Sequence, residues 1–276
     1  MKFTVLGSGS TGNAVLISSE KTNVLVDAGL SAREILRRLS EVGVSSDELD
    51  GILITHEHSD HAGGLRVLLR SVDCPVYISK CTEDAFYDTR AGGRNGDSES
   101  SKRQAALKEK VVEIESDEEF RIGDIDFEPF CVPHDAVDNF GFVAKQDGVR
   151  VATLMDFGHV NDTIREKLRG CDAVIIESNH SRDMLRACSF YTWSLKQRIM
   201  SRTGHLSNED LSDWLVNDFD GCARFLVLAH LSQRANEPHL AKISAEAAIA
   251  MRPPLFRAET TVSLSSHREP TAWFTF

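Results

Sequence analysis

Short apolar runs, each closed by polar residues or glycine, recur along the chain. Runs of that length read as buried strands. They predict strands over Lys2 to Leu6, Ala14 to Ser18, Asn23 to Val26, Gly51 to Thr55 and Pro75 to Ser79. A second series is predicted around Val111 to Ile114, Phe120 to Ile122, Asp126 to Val132, Gly141 to Lys145, Arg150 to Leu154, Ala173 to Ile176 and Phe225 to Leu228. Elsewhere the apolar spacing lengthens to the helical period. Ser31 and Glu34 make the S-x-x-E pattern of a capping box, ahead of Ile35, Leu36, Leu39 and Val42 on one helical face. Further helices are predicted from about Gly64 to Arg70, from Asn161 or Asp162 to Leu168, and from about Ala235 to Met251. Another follows a cap at Ser207 to Asp210, with Leu211, Trp214 and Leu215 turned inward.

Each half of the chain carries mixed strands followed by helices, and the strand sets end in polar residues. Periodicity supports an α/β class. The repeated order fits a four-layer αβ/βα sandwich of two mixed β-sheets flanked by helices, with a site along one rim. Residues 1–251 read as a single domain and residues 252–276 as a C-terminal extension with a possible strand at Thr261 to Leu264. Asp88 to Lys102 holds almost no apolar residue, so residues 88–110 read as a polar surface insertion.

Composition sets bounds. Of 276 residues, 41% are hydrophobic and 26% charged, which permits a sizeable core. No apolar run approaches the roughly 20 residues of a membrane span, so no membrane partner is expected. The N-terminus continues into a strand pattern and does not read as a signal peptide. Six scattered cysteines with no C-x-x-C pair read as reduced thiols in a cytoplasmic protein. A net charge of −11 argues against loose electrostatic binding to nucleic acid, without excluding a local basic surface.

The densest chemistry lies behind the strand ending at Thr55, where His56, His58, Asp60 and His61 fall on one tight loop. Imidazole and carboxylate suit zinc, manganese or iron. His56 and His58, on an extended segment, can reach one ion, and Asp60 and His61, past the bend, a second. Polar residues recur at other strand ends: Asp27, His134, Asp156, Glu177 with His180, and His230. Such ends can converge on one sheet edge, where Asp156 can bridge two ions with its two oxygens. Ser8, Ser10 and Asn13 belong to a glycine-punctuated turn that can approach a phosphate but lacks the P-loop lysine. The stretch from Ser181 to Gly204 is helical in character and basic, with Phe190, Tyr191 and Trp193 among Arg182, Arg186, Lys196, Arg198 and Arg202. It reads either as a helix pair with buried aromatics or as the wall of a strand channel.

These residues resemble the metallo-β-lactamase superfamily: Asp27, the His56-x-His58-x-Asp60-His61 signature, His134, Asp156 and His230 stand in its order. The resemblance implies one metal on His56, His58 and His134, a second on Asp60, His61 and His230, Asp156 bridging them, and Asp27 supporting the histidine loop by hydrogen bonding. Within the superfamily, Ser8 to Asn13, Thr55 to His61, Glu177 to His180, Gly204 to Asn208 and Ala229 to Ser232 are similar to the YycJ/WalJ group of bacterial 5′-to-3′ DNA exonucleases. Met155, His159, the 88–102 stretch and the tail depart from that group's pattern. Glu177 with His205 also resembles the acid–histidine pair of tRNase Z enzymes. The resemblance therefore implies a phosphodiesterase acting on DNA through two divalent ions (Zn or Mn) and a metal-activated hydroxide. Asp60, His205 and Glu177 would be catalytic, with Ser8, Ser10, Asn13, Asn179, His180 and Ser207 expected at the substrate. The alternatives are a hydrolase of a small ester, thioester, lactone or cyclic phosphodiester, and a catalytically silent scaffold; the complete ligand set argues against the last.

Overall fold

The computed structural model describes residues 1–91, 109–252 and 259–276. The first sheet contains β1 (Lys2–Gly7), β2 (Ala14–Ser18), β3 (Asn23–Val26), β4 (Gly51–Leu53), β5 (Val76–Ile78) and β6 (Val111–Glu113), joined at its edge by β14 (Phe274–Thr275). The second contains β7 (Phe120–Ile122), β8 (Ile125–Cys131), β9 (Phe140–Gln146), β10 (Val149–Leu154), β11 (Ala173–Glu177), β12 (Phe225–Ala229) and β13 (Thr261–Leu264) in simple order. Strands β3 to β6 run parallel, as do β10 to β13.

The core explains why strand sequences read as continuous apolar runs. Phe3, Val5, Val15, Ile17, Val24 and Val26 pack against Phe127, Phe142, Val151, Ile175 and Val227, filling the space between the sheets. Alternate residues Leu6, Leu16, Leu25 and Ile52 face outward onto α1 (Ala32–Glu41), whose Ile35 and Leu39 are buried. On the other side, Val174, Ile176, Leu226 and Leu228 meet Leu211, Trp214 and Leu215 of the helix Asn208–Asn217. Both faces of each sheet are thus covered, and period-2 alternation disappears. The result is the four-layer αβ/βα sandwich.

Several local expectations change. The predicted Gly64 to Arg70 helix is present but shorter, as α3 (Leu65–Leu68), and a separate turn, α2 (Ser59–Ala62), precedes it across a break at 63–64. The break is imposed by backbone packing: Gly64 N donates to Ala28 O at 2.7 Å, and a Cβ on Gly64 would lie 2.0 Å from Leu30 O. A helix, α4 (Lys80–Ala91), occupies the start of the polar stretch; the rest of the 88–110 segment, up to residue 108, lies outside the described residues. Only half of the first capping box forms. Ser31 Oγ accepts from Glu34 N, while the Glu34 carboxylate takes Arg37 and Arg38. The last helix begins at Pro238, capped by Glu237, because Asn236 is committed to a buried amide network. Residues 259–276 join both sheets, through β13 and β14, and the buried Arg38 ties them down by donating to His267 O and Arg268 O.

Candidate active site

Parallel pairing sets the site's position. Strands β3, β4, β10, β11 and β12 end at one rim; β8, antiparallel to β9 as β9 is to β10, ends there too. Asp27, His56, His134, Asp156, Glu177 and His230 lie at or just past those ends. Three of them have left-handed backbone: Asp27 (φ 64°), Asp156 (φ 58°) and His230 (φ 52°). Such strain costs about 1–3 kcal/mol and collects at functional sites. Here it turns the chain sharply as it leaves a strand.

His56, His58, His134 and Asp156 bring donor atoms within 4.8 Å of one another, and Asp60, His61, Asp156 and His230 form a second such group. Asp156 is common to both. Its Oδ2 lies 3.4 Å from His56 Nε2, 3.0 Å from His61 Nε2 and 3.8 Å from His134 Nε2. Its Oδ1 lies 2.7 Å from His230 Nδ1, outside hydrogen-bond geometry. Asp60 Oδ2 is 3.5 Å from His230 Nε2. A third group, Asp156, Glu177, His205 and His230, adjoins these.

The supporting bonds fix each ring. His61 Nδ1 meets Asp27 Oδ2 at 2.6 Å. Thr55, which the sequence reading left without a role, donates its amide to Asp27 Oδ1 at 2.9 Å and places its hydroxyl 2.9 Å from His56 Nδ1. Its only sequence signal is a hydroxyl between the strand and the first histidine. Glu177 Oε1 contacts His205 Nδ1 at 2.7 Å and His230 Nδ1 at 2.9 Å, while Oε2 accepts from the Phe157 and Leu206 amides. Outer partners of this kind orient metal-binding imidazoles.

The expected substrate contacts divide. Ser10 and Asn179 line a cleft of about 270 Å³ together with His58, Asp60, His134 and His205. Ser8 and Asn13 do not reach it. They are buried, with Ser8 Oγ accepting from His230 N at 2.8 Å and Asn13 taking Asp60 O and His61. They brace the candidate ligands because the tight Gly-rich turn folds its polar atoms inward. His180 and Ser207 are also buried; Ser207 caps its helix by accepting from Asp210 N. The far wall of the cleft comes from the basic stretch expected as a possible channel wall, through Leu195, Arg198 and Ile199, together with Asp135, which carried no sequence signal; Arg198 bonds Asp135.

Electrostatics favour a bound cation. Asp27, Asp156 and Glu177 are essentially inaccessible, and their ion-pair partners among the described residues are imidazoles. Burying charge without compensation is costly. His56 Nε2, His230 Nε2 and Asp156 Oδ1 have no hydrogen-bond partner although buried. Burial and then the charge of His61 push His56 down to about 4, the neutral form a metal needs. Burial resists ionisation of Glu177, but His205 and His230 hold it near about 2. Burial likewise opposes charge on His205, yet Glu177 and then Asp156 raise it above the ordinary imidazole value. The donor set thus fits divalent metal.

Two mixed sheets packed face to face, with linked His/Asp groups at one rim, define a metal-dependent hydrolase. The family described as "Beta-lactamase superfamily domain" matches residues 22–231. The chain is 36% identical over 243 residues to exodeoxyribonuclease WalJ of Streptococcus pneumoniae serotype 2 (strain D39 / NCTC 7466), covering 88% of this chain and 86% of that protein. It is 33% identical over 252 residues to exodeoxyribonuclease YycJ of Bacillus anthracis, covering 88% and 87%. Its fold is similar to that of Zn²⁺-bound PqqB from Methylobacterium extorquens, with a TM-score of 0.73 at 16% identity over 100% of both chains. The chain belongs to the metallo-β-lactamase superfamily and, within it, to the family of the WalJ and YycJ proteins. No helix among the described residues is long and apolar enough to cross a membrane.

Proposed function

We propose that this protein is a metal-dependent phosphodiesterase acting on DNA as a 5′-to-3′ exonuclease, in the cytoplasm. The observation that carries it is the placement of the Glu177–His205 pair beside two His/Asp groups that share Asp156, all opening on one cleft. The exodeoxyribonuclease relatives support the choice of DNA. His56, His58 and His134 would hold one ion, and Asp60, His61 and His230 a second, with Asp156 between them; zinc and manganese both suit these N and O donors. Ions held there supply Lewis acidity to the phosphoryl oxygens and a water deprotonated near neutral pH.

The chain's own groups do the rest. Asp60, partly exposed to the cleft, orients the attacking water by accepting its hydrogen bond. His205, with Nδ1 fixed on Glu177, presents its other nitrogen to the leaving oxygen and donates a proton as general acid. Asp27, Thr55, Ser8 and Asn13 keep the ligand rings in place.

The test is incubation of metal-loaded protein with end-labelled single- and double-stranded DNA and RNA, with Asp60→Ala as control. Release of 5′ mononucleotides from DNA by wild type alone is expected. Wild-type inactivity on every polymer, with brisk turnover of a small diester or thioester, would overturn the reading.

A further inference from the structure

The cleft holds one arginine, and a carboxylate keeps it in place. Among the lysines and arginines of the described residues, Arg198 alone lines the cleft, where Asp60, Asp135 and Asp156 contribute carboxylates. Arg198 Nε donates to Asp135 Oδ2. Its two Nη atoms bond no other described residue, and the side chain is 60% exposed. A guanidinium held at Nε keeps its Nη hydrogens in a fixed plane that suits paired phosphate oxygens.

Packing sets this side chain beside His205. The helix Trp193–Ile199 carries Arg198, and Ile199 O at its end accepts from His205 N at 2.9 Å. Gly204 permits the approach: a Cβ there would lie 2.3 Å from both Arg198 O and Ile199 O. His134 Nδ1 donates to Thr203 O and Gly204 O, which ties the residue before Asp135 to the same turn. Lys196, buried, anchors the helix by donating from Nζ to Arg186 O at 2.6 Å. The cation and the group placed at the leaving oxygen thus share one wall.

We propose that Arg198, positioned by Asp135, binds the phosphate next to the scissile one on the leaving-group side, which for a 5′-to-3′ exonuclease is the 5′-terminal phosphate. The inference rests on the phosphodiesterase reading of the cleft. In that reading the scissile phosphate sits at the two His/Asp groups. When a 5′ mononucleotide departs, the leaving oxygen is the 3′ oxygen of the terminal nucleotide. That nucleotide's own 5′ phosphate is then the next anion beyond His205. A phosphate there meets no other lysine or arginine of the cleft among the described residues. Pairing of a planar guanidinium with phosphate is charge-assisted and directional.

The test compares kcat/KM for a 5′-phosphorylated DNA oligomer, the same oligomer with a 5′ hydroxyl, and a small chromogenic phosphodiester. In Arg198→Gln, turnover of the phosphorylated oligomer relative to the small diester is expected to fall about ten- to hundredfold, the order a hydrogen bond to a charged group contributes. The 5′-hydroxyl oligomer should lose little relative to the small diester, which reports folding and chemistry in the same preparation. Arg198→Lys keeps the charge without the fork and should recover part of the loss. Binding is read separately, by anisotropy of 3′-labelled phosphorothioate oligomers on metal-loaded protein. There the salt dependence for the phosphorylated oligomer should drop by about one phosphate contact in Arg198→Gln. Equal losses on both oligomers overturn the assignment, because a merely structural Arg198–Asp135 clip acts on both alike. An unchanged ratio with brisk wild-type DNA cleavage also overturns it and leaves the nuclease standing. Tighter binding of the phosphorylated oligomer that depends on Arg198, without DNA cleavage, overturns the nuclease and leaves the phosphate site standing.

Discussion

Glu177 Oε1 lies 2.7 Å from His205 Nδ1, linking a fully buried carboxylate to an imidazole that is 23% exposed and faces the cleft. The carboxylate favours the protonated ring against the opposing effect of burial. His205→Ala is therefore expected to lower kcat roughly 10²- to 10⁴-fold, the usual span for a general acid. Metal content, measured by elemental analysis, should stay at the wild-type value. Because a general acid must carry its proton, wild-type kcat should fall as pH rises through the raised value of His205. The variant should lack that limb. Lost metal would instead make His205 a ligand in the third His/carboxylate group.

Asp27 contacts no solvent and reaches His61 and Thr55 through both oxygens. Asp27→Asn keeps a side chain that tolerates the left-handed backbone but removes the charge. Metal affinity is expected to fall about 10- to 100-fold, as when other outer partners are lost. Chelator competition measures it, and wild-type affinity would take Asp27 out of the support of the site.

Arg38 is a stability prediction. Its guanidinium donates to Leu6 O at 2.7 Å and to the carbonyls of His267 and Arg268, joining α1, β1 and the C-terminal segment. Arg38→Ala leaves those acceptors without donors, each at about 1–3 kcal/mol. A clear drop in the urea midpoint is expected; a change near zero would mean that water replaces the guanidinium.

Glu34 gives a pH dependence with a definite sign. Hydrogen bonds from Arg37 lead in lowering it from 4.5 to about 2, against burial and with further help from Arg38. A carboxyl depressed on folding contributes stability fully above pH 4.5 and loses it as pH falls toward 2. The wild-type advantage over Glu34→Gln in thermal melts should shrink across that window. An advantage independent of pH would rule out the linkage. The carboxylate is 31% exposed, so solvent screens the effect.

The sequence by itself determined the elements and the ligand types. Strand runs such as Val24–Val26 and Ile52–Leu53 were legible because strand length and apolar content are local. The signature from His56 to His61 was legible because its donors share one loop. The order of polar strand ends and the resemblance they carry pointed to the sandwich and its rim. Tertiary structure decided what local pattern cannot. The turn at 59–62 stays separate from the helix predicted at 64–70 because Gly64 packs on the 28–30 backbone, a long-range contact invisible to periodicity. Ser8 and Asn13 became braces, not substrate contacts, because the turn folds against His230 and His61, far along the chain. Parallel pairing brought Asp27, Asp156, Glu177 and His230 to one edge, and only that convergence lets Asp156 stand between two groups of donors. Whether aromatics at 190–193 are core or surface was equally undecidable locally, since helical spacing permits both; the packing of the helices Arg182–Ala187 and Trp193–Ile199 left Phe190 and Trp193 in solvent, flanking Tyr191 in the cleft.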